Sequence, residues 1–183
     1  MARKYKIHDH RKLYFVTFTV INWIDAFIRD AYRQVLYDSI KHCQQHKGLE
    51  VYCYCIMTSH VHLIIGTETG NLSDIIRDLK SYTSRHIRIA LEESNFESRK
   101  EWMQWMFRRA GIANRKNNDF QFWQQDNHPV ELATFQMLEQ RLNYIHTNPV
   151  EIGLVSKEDD WLHSSAGDYF GTRKGNIELI FIY

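Results

Sequence analysis

Residues 49–67 read LEVYCYCIMTSHVHLIIGT, and their pattern decides the fold. Two runs rich in β-branched, aromatic and sulfur-bearing side chains flank the polar pair Thr58-Ser59, which predicts antiparallel strands over residues 49–57 and 61–67. His60 and His62 open the second strand. Side chains alternate across a strand, so both imidazoles leave one face, roughly 7 Å apart along the backbone, while Val61, Leu63 and Ile65 leave the other toward a core. Two neutral imidazoles so placed can hold one metal ion. Taken alone, the pair also fits two half-buried histidines satisfied by hydrogen bonds.

Outward from this hairpin, residues 13–21 (LYFVTFTVI) are β-branched and aromatic throughout and predict a first strand. Over residues 29–46 the apolar positions Tyr32, Val35, Leu36, Ile40 and Cys43 recur at three- and four-residue steps, which predicts an amphipathic helix that Gly48 can stop. Beyond the hairpin, residues 71–74 (NLSD) offer cap chemistry for a second helix through about residue 91. Residues 97–107 predict an extra short helix, residues 111–119 a polar loop, residues 120–124 (FQFWQ) a fourth strand, and residues 132–148 a third long helix.

The order is βαββαβ plus a helix, an α+β class with the ferredoxin-like split βαβ arrangement. An antiparallel sheet covered by helices is followed by a C-terminal tyrosine-bearing helix and a loop-rich tail, whose last apolar run, residues 177–183, is a candidate strand. No repeat or linker interrupts the chain. A single domain is expected over residues 1–183, with a core at about 13–150 and a tail at 151–183.

Composition narrows the function classes. The 183 residues carry a formal charge of +1, so any nucleic-acid binding must come from local clusters rather than from a global basic field. Cys43, Cys53 and Cys55 lack metal-site spacing and suit buried thiols in a reducing compartment. No apolar run approaches the roughly 20 residues a membrane span needs, and the start MARKYKIHDHRK lacks a signal-peptide core, so a cytoplasmic location without membrane contact is expected.

Tyr144 and Asn148 lie four apart in the third long helix and share a face of it. Pro149 disfavours α geometry at Asn148, which predicts that Asn148 sits at a frayed C-terminal end. Alone, Tyr144 reads as a structural residue in step with Leu138 and Leu142. His146, two residues on, points elsewhere.

Taken together, these segments resemble a known family. YCIMTSHVHLII looks like the strand-turn-strand element of the HUH endonucleases, in which two histidines flank an apolar residue. LNYIHTNPVEIGLV, followed by DDWLHSSAGDY, is similar to the tyrosine helix and tail of REP-associated tyrosine transposases and their insertion-sequence relatives. The likeness covers residues 14–169. It implies a metal-dependent transposase or nickase that cuts and rejoins single-stranded DNA through a 5′-phosphotyrosine, at hairpin-flanked sites. Tyr144 matches the nucleophile, and His60, His62 and Asn148 match the ligands of a divalent cation.

A phenol with a pKa near 10 is a poor nucleophile at neutral pH and must lose its proton as it attacks, and a cation on the attacked phosphate lowers the cost of the charge that builds up, as Lewis acid and template. Two nitrogens and one amide oxygen form an incompletely filled shell suited to Mg²⁺ or Mn²⁺. Phosphate contact is expected from Arg77, Lys80, Arg85 and Arg88 on the second helix and from Arg108, Arg109, Arg115 and Lys116. Trp102, Trp105 and Trp123 read as core or dimer contacts, and a homodimer is expected. Two other classes compete: a hydrolase whose histidines activate water, and a non-catalytic binder of DNA hairpins.

Overall fold

The computed structural model describes residues 7–114 and 119–182. Four strands, β1 (Tyr14–Thr19), β2 (Glu50–Ile56), β3 (His60–Gly66) and β4 (Val130–Glu131), form one antiparallel sheet in the order β2-β3-β1-β4. Among the described residues five α-helices accompany it: α1 (Asp30–Lys47), α2 (Leu72–Glu93), α3 (Lys100–Ala113), α4 (Phe135–Glu151) and the short α5 (Ala166–Tyr169). This is the expected α+β split βαβ arrangement.

Alternation along the strands builds two apolar layers. Tyr14, Val16 and Phe18 of β1 join Val61, Leu63 and Ile65 of β3 in a core under α1 and α2. Phe15 and Ile64 face the other way and pack with Leu138, Leu142 and Ile145 of α4. A bulge in β2 breaks strict alternation, since Val51 pairs with Ile65 while Cys53 pairs with Ile64. Val51 consequently lies in the first core while Cys53 and Cys55 lie in the second. All three cysteines are free and buried, as expected.

Helix boundaries follow local chemistry. Asn71 caps α2 by accepting a hydrogen bond from the Asp74 N–H, and Thr134 caps α4 by accepting one from the Met137 N–H. Residues 120–124 do not form the expected strand. Only Trp123 makes a bridge, to Val20, and β4 is the pair Val130–Glu131 against Tyr14 and Phe15. The outer edge of β1 is instead closed piecemeal: Thr17 N–H donates to the Asn127 carbonyl, and Gln124 N–H donates to the Thr19 carbonyl.

The third long helix also departs from expectation. Pro149 lies inside α4 rather than ending it; the helix continues to Glu151, and Gly153 at φ 76° follows. Asn148 and Pro149 are buried there, so packing holds the turn in spite of the proline. The apolar run at residues 177–182 forms no strand. Its Ile180 N–H donates once to Val51, beside the bulge. Trp123 belongs to the core, but Trp102 and Trp105 are exposed on α3 and are not core residues, because Met103, Phe107 and Gly111 form that helix's buried face. No helix among the described residues is long and apolar enough to cross a membrane.

Candidate active site

β3 delivers His60 and His62 to the sheet face under α4. Their ring centroids lie 4.7 Å apart. His62 is 4% exposed, and its Nδ1 is 2.9 Å from Thr17 Oγ1 on the neighbouring strand, where Thr17 and His62 are register partners. With Nδ1–H donating to the threonine hydroxyl, the Nε2 lone pair is left free to ligate. That Nε2 is buried and has no hydrogen-bond partner. A buried unpaired nitrogen costs about 1–3 kcal/mol, a cost removed if the nitrogen binds a ligand. His60 is half-buried, with Nδ1 3.3 Å from Ser59 Oγ.

Electrostatics favour the neutral, ligating form of both rings. Burial lowers the His60 pKa despite the opposing Asp25 carboxylate. Burial, reinforced by His60 and the Arg141 guanidinium, brings His62 down to about 3. Among the described residues no three His, Cys, Asp or Glu side chains converge as a metal cage. Two imidazole nitrogens fall short of the four-ligand shell of a structural zinc and suit a cation that keeps positions open for other oxygens.

α4 brings Tyr144 to this face. Its ring centroid is 5.3 Å from that of His62, edge-on, and 6.0 Å from that of Phe15. Tyr144 is 37% exposed, so its ring borders both His62 and solvent. Asn148 lies one turn further along α4 and is buried. His146 faces away from Tyr144: its Nε2 is 2.8 Å from Ser165 Oγ and 3.3 Å from Cys53 Sγ. Those contacts tie α4 to β2 and to the tail.

The sequence reading missed two neighbours. Arg141, one turn before Tyr144, lies over the Phe15 ring at 4.8 Å and the Tyr144 ring at 5.9 Å. It places a cation beside the Tyr144 ring. Thr17 shares the Phe15 face of β1 with Thr19, and the sequence alone does not set it apart.

The expected phosphate-contacting residues are scattered. Arg77, Lys80, Arg85 and Arg88 line a groove of about 790 Å³ between α2 and residues 119–127. Within it Arg77 pairs with Asp74 and Asp78, and Arg88 pairs with Glu92 and Asp119. Lys80 donates to the Gln124 carbonyl and to Asn127 Oδ1, and desolvation lowers its pKa to about 8. Arg108 and Arg109 are on α3 beside Trp105. Arg115 and Lys116 lie outside the described residues.

Residues 12–126 match the family model for IS200-like transposases. The chain belongs to that family. This transposase is 26% identical over 155 residues to a Haemophilus influenzae protein that bears the name of a REP-associated tyrosine transposase, across 84% of this chain and 78% of that one. Its fold is similar to that of a solved REP-associated tyrosine transposase bound to a REP hairpin, with a TM-score of 0.67 at 15% identity over 97% of this chain and 92% of the other. The family match ends before α4 and does not reach Tyr144 of the transposase.

Proposed function

We propose that this transposase cleaves and rejoins single-stranded DNA through a covalent 5′-phosphotyrosine at Tyr144. The observation that carries the reading is the Tyr144 ring 5.3 Å from His62, whose inward nitrogen is buried and unpaired. In the step, the bond from Tyr144 Oη to phosphorus forms as the bond from phosphorus to the 3′ oxygen breaks; the phenol gives up its proton, and the departing oxygen takes one to become a 3′-hydroxyl. Reversal rejoins the strand. His60, His62 and the Asn148 amide would hold Mg²⁺ or Mn²⁺, which supplies Lewis-acid polarisation of the phosphate and a template for it. Neutral imidazoles suit that task, and Arg141 is available to donate to a phosphate oxygen.

The DNA is expected to carry a hairpin beside the cleaved site; the similar solved protein is bound to a REP hairpin. Its phosphates would run along the α2 groove, where Arg85 joins Arg77 and Arg88, Lys80 fastens the groove's wall, and Arg108 and Arg109 extend the positive surface on α3. Residues 1–183 would act as one domain and assemble as a homodimer.

Incubation with single strands from the flanks of its own gene plus Mn²⁺ tests the reading. Mass analysis is expected to find a DNA–peptide adduct on Tyr144, and Tyr144→Phe is expected to bind the same strands without adduct or cut. Cutting that survives Tyr144→Phe would assign the chemistry to activated water. Strand affinity without any cutting would leave a non-catalytic hairpin binder.

A further inference from the structure

Immediately after β1 the backbone makes an unusual excursion. Asn22 and Trp23 both adopt left-handed conformations, at φ 53° and φ 56°. Asparagine tolerates that region, whereas a bulky side chain there is a genuine outlier. The ends of the excursion are fixed: Val20 and Ile24 are buried, and the Ile21 N–H donates to the Phe122 carbonyl. Between these anchors the chain turns Trp23 outward until it is 59% exposed. Its ring stands edge-on to His60, with centroids 5.3 Å apart.

Packing does not account for this arrangement. A large aromatic contributes most when buried, as Trp123 is at 4% exposure a short distance away. Here the protein accepts both backbone strain and an indole in water. Such strain persists where the surrounding structure enforces it, and it clusters where a ligand makes use of it. Trp23's neighbour belongs to the proposed active site, because His60 also meets His62 at 4.7 Å. A strand whose phosphate lies over the two histidines therefore carries its adjoining nucleotide past the indole.

We infer that Trp23 is a stacking platform for the unpaired base next to the cleaved phosphate. The inference rests on the proposed single-strand chemistry and adds a base-binding position to it. An aromatic face accepts any base, and loss of one such platform weakens single-strand binding roughly ten-fold or more.

The test uses full-length protein in the Tyr144→Phe background, so that binding is read without cutting. The probes are the single strands from the flanks of the gene, with 2-aminopurine at each of the two nucleotides bordering the phosphate that wild-type protein joins to Tyr144. Quenching at one of them is expected with Trp23 and with Trp23→Phe, and is expected to vanish with Trp23→Ala and Trp23→Gly. Affinity is expected to fall roughly ten-fold in the alanine variant. That difference is expected to disappear on a strand made abasic at the stacked position. Trp23→Gly, which relieves the left-handed strain, is expected to melt no lower than its parent.

Unchanged affinity in Trp23→Ala overturns the inference. So does a loss that persists on the abasic strand, and so does a clear drop in the Tm of Trp23→Gly, which would make the turn a device for stability. If wild-type protein forms no adduct, the proposed function fails on its own; the stacking inference is still decided by comparing the parent and Trp23→Ala for affinity toward the same unmodified strands.

Discussion

At the scale of single residues, Thr17 engages one nitrogen of His62 and leaves the other without a partner. Its hydroxyl is 2.9 Å from Nδ1, while Nε2 has no partner. Removing an outer hydrogen bond of this kind typically costs 10–100-fold in metal affinity. Thr17→Val is therefore expected to bind Mn²⁺ roughly 10–100-fold more weakly by titration calorimetry, with cleavage restored at high Mn²⁺; unaltered affinity would show that the threonine orients nothing. Arg141 lies over the Phe15 and Tyr144 rings, and under the proposed chemistry it would offer its charge to the attacked phosphate. Arg141→Gln is expected to lower the cleavage rate at saturating DNA about 100-fold, the scale of losing one preorganised donor, and a rate within two- or three-fold of wild type, roughly the noise of such assays, would refute that role. The sequence exposed the histidine pair because strand alternation is local. Thr17 and Arg141 were hidden because their roles exist only after β1 and α4 converge on β3.

At the scale of elements, the strands β1 to β3 and the helices α1 and α2 were legible from periodicity, while the pieces closing the sheet edge were not. The FQFWQ run has strand-like composition, yet its backbone is divided between a bridge to Val20 and a hydrogen bond to α3, where Gln121 N–H donates to the Phe107 carbonyl. Gly111 makes that crossing possible, since a Cβ there would sit 2.3 Å from the Phe120 nitrogen. Gly111→Ala is expected to cost about 2–3 kcal/mol, as overpacking against fixed backbone does. Gly153→Ala, left-handed but with open space around it, is expected to cost only about 1 kcal/mol. Urea midpoints compare the two, and a reversed order would contradict this account of the crossing. The proline rule failed at α4 for a related reason: tertiary burial of Asn148 and Pro149 outweighs a local preference that sequence alone displays.

Across the whole molecule, buried imidazoles couple stability to acidity. Burial lowers His146 and His163 to about 4, below the 6.5 of an exposed histidine. Between pH 6.5 and 4 the unfolded chain binds more protons than the folded one, so stability falls as pH drops through that window and the contribution levels off below it. Urea midpoints are expected to decline steadily from pH 6.5 to 4, and a flat profile would mean that these rings take up protons without unfolding. The same His146 contacts, to Ser165 and Cys53, join the tyrosine helix to the tail and to β2, a long-range closure that no window of sequence reveals. One chain thus carries both the phenol and the His62 imidazole beside it. Nicking is accordingly expected to remain first order in protein down to the most dilute solution assayable, and doping the reaction with an inert copy is expected neither to rescue nor to poison the active ones.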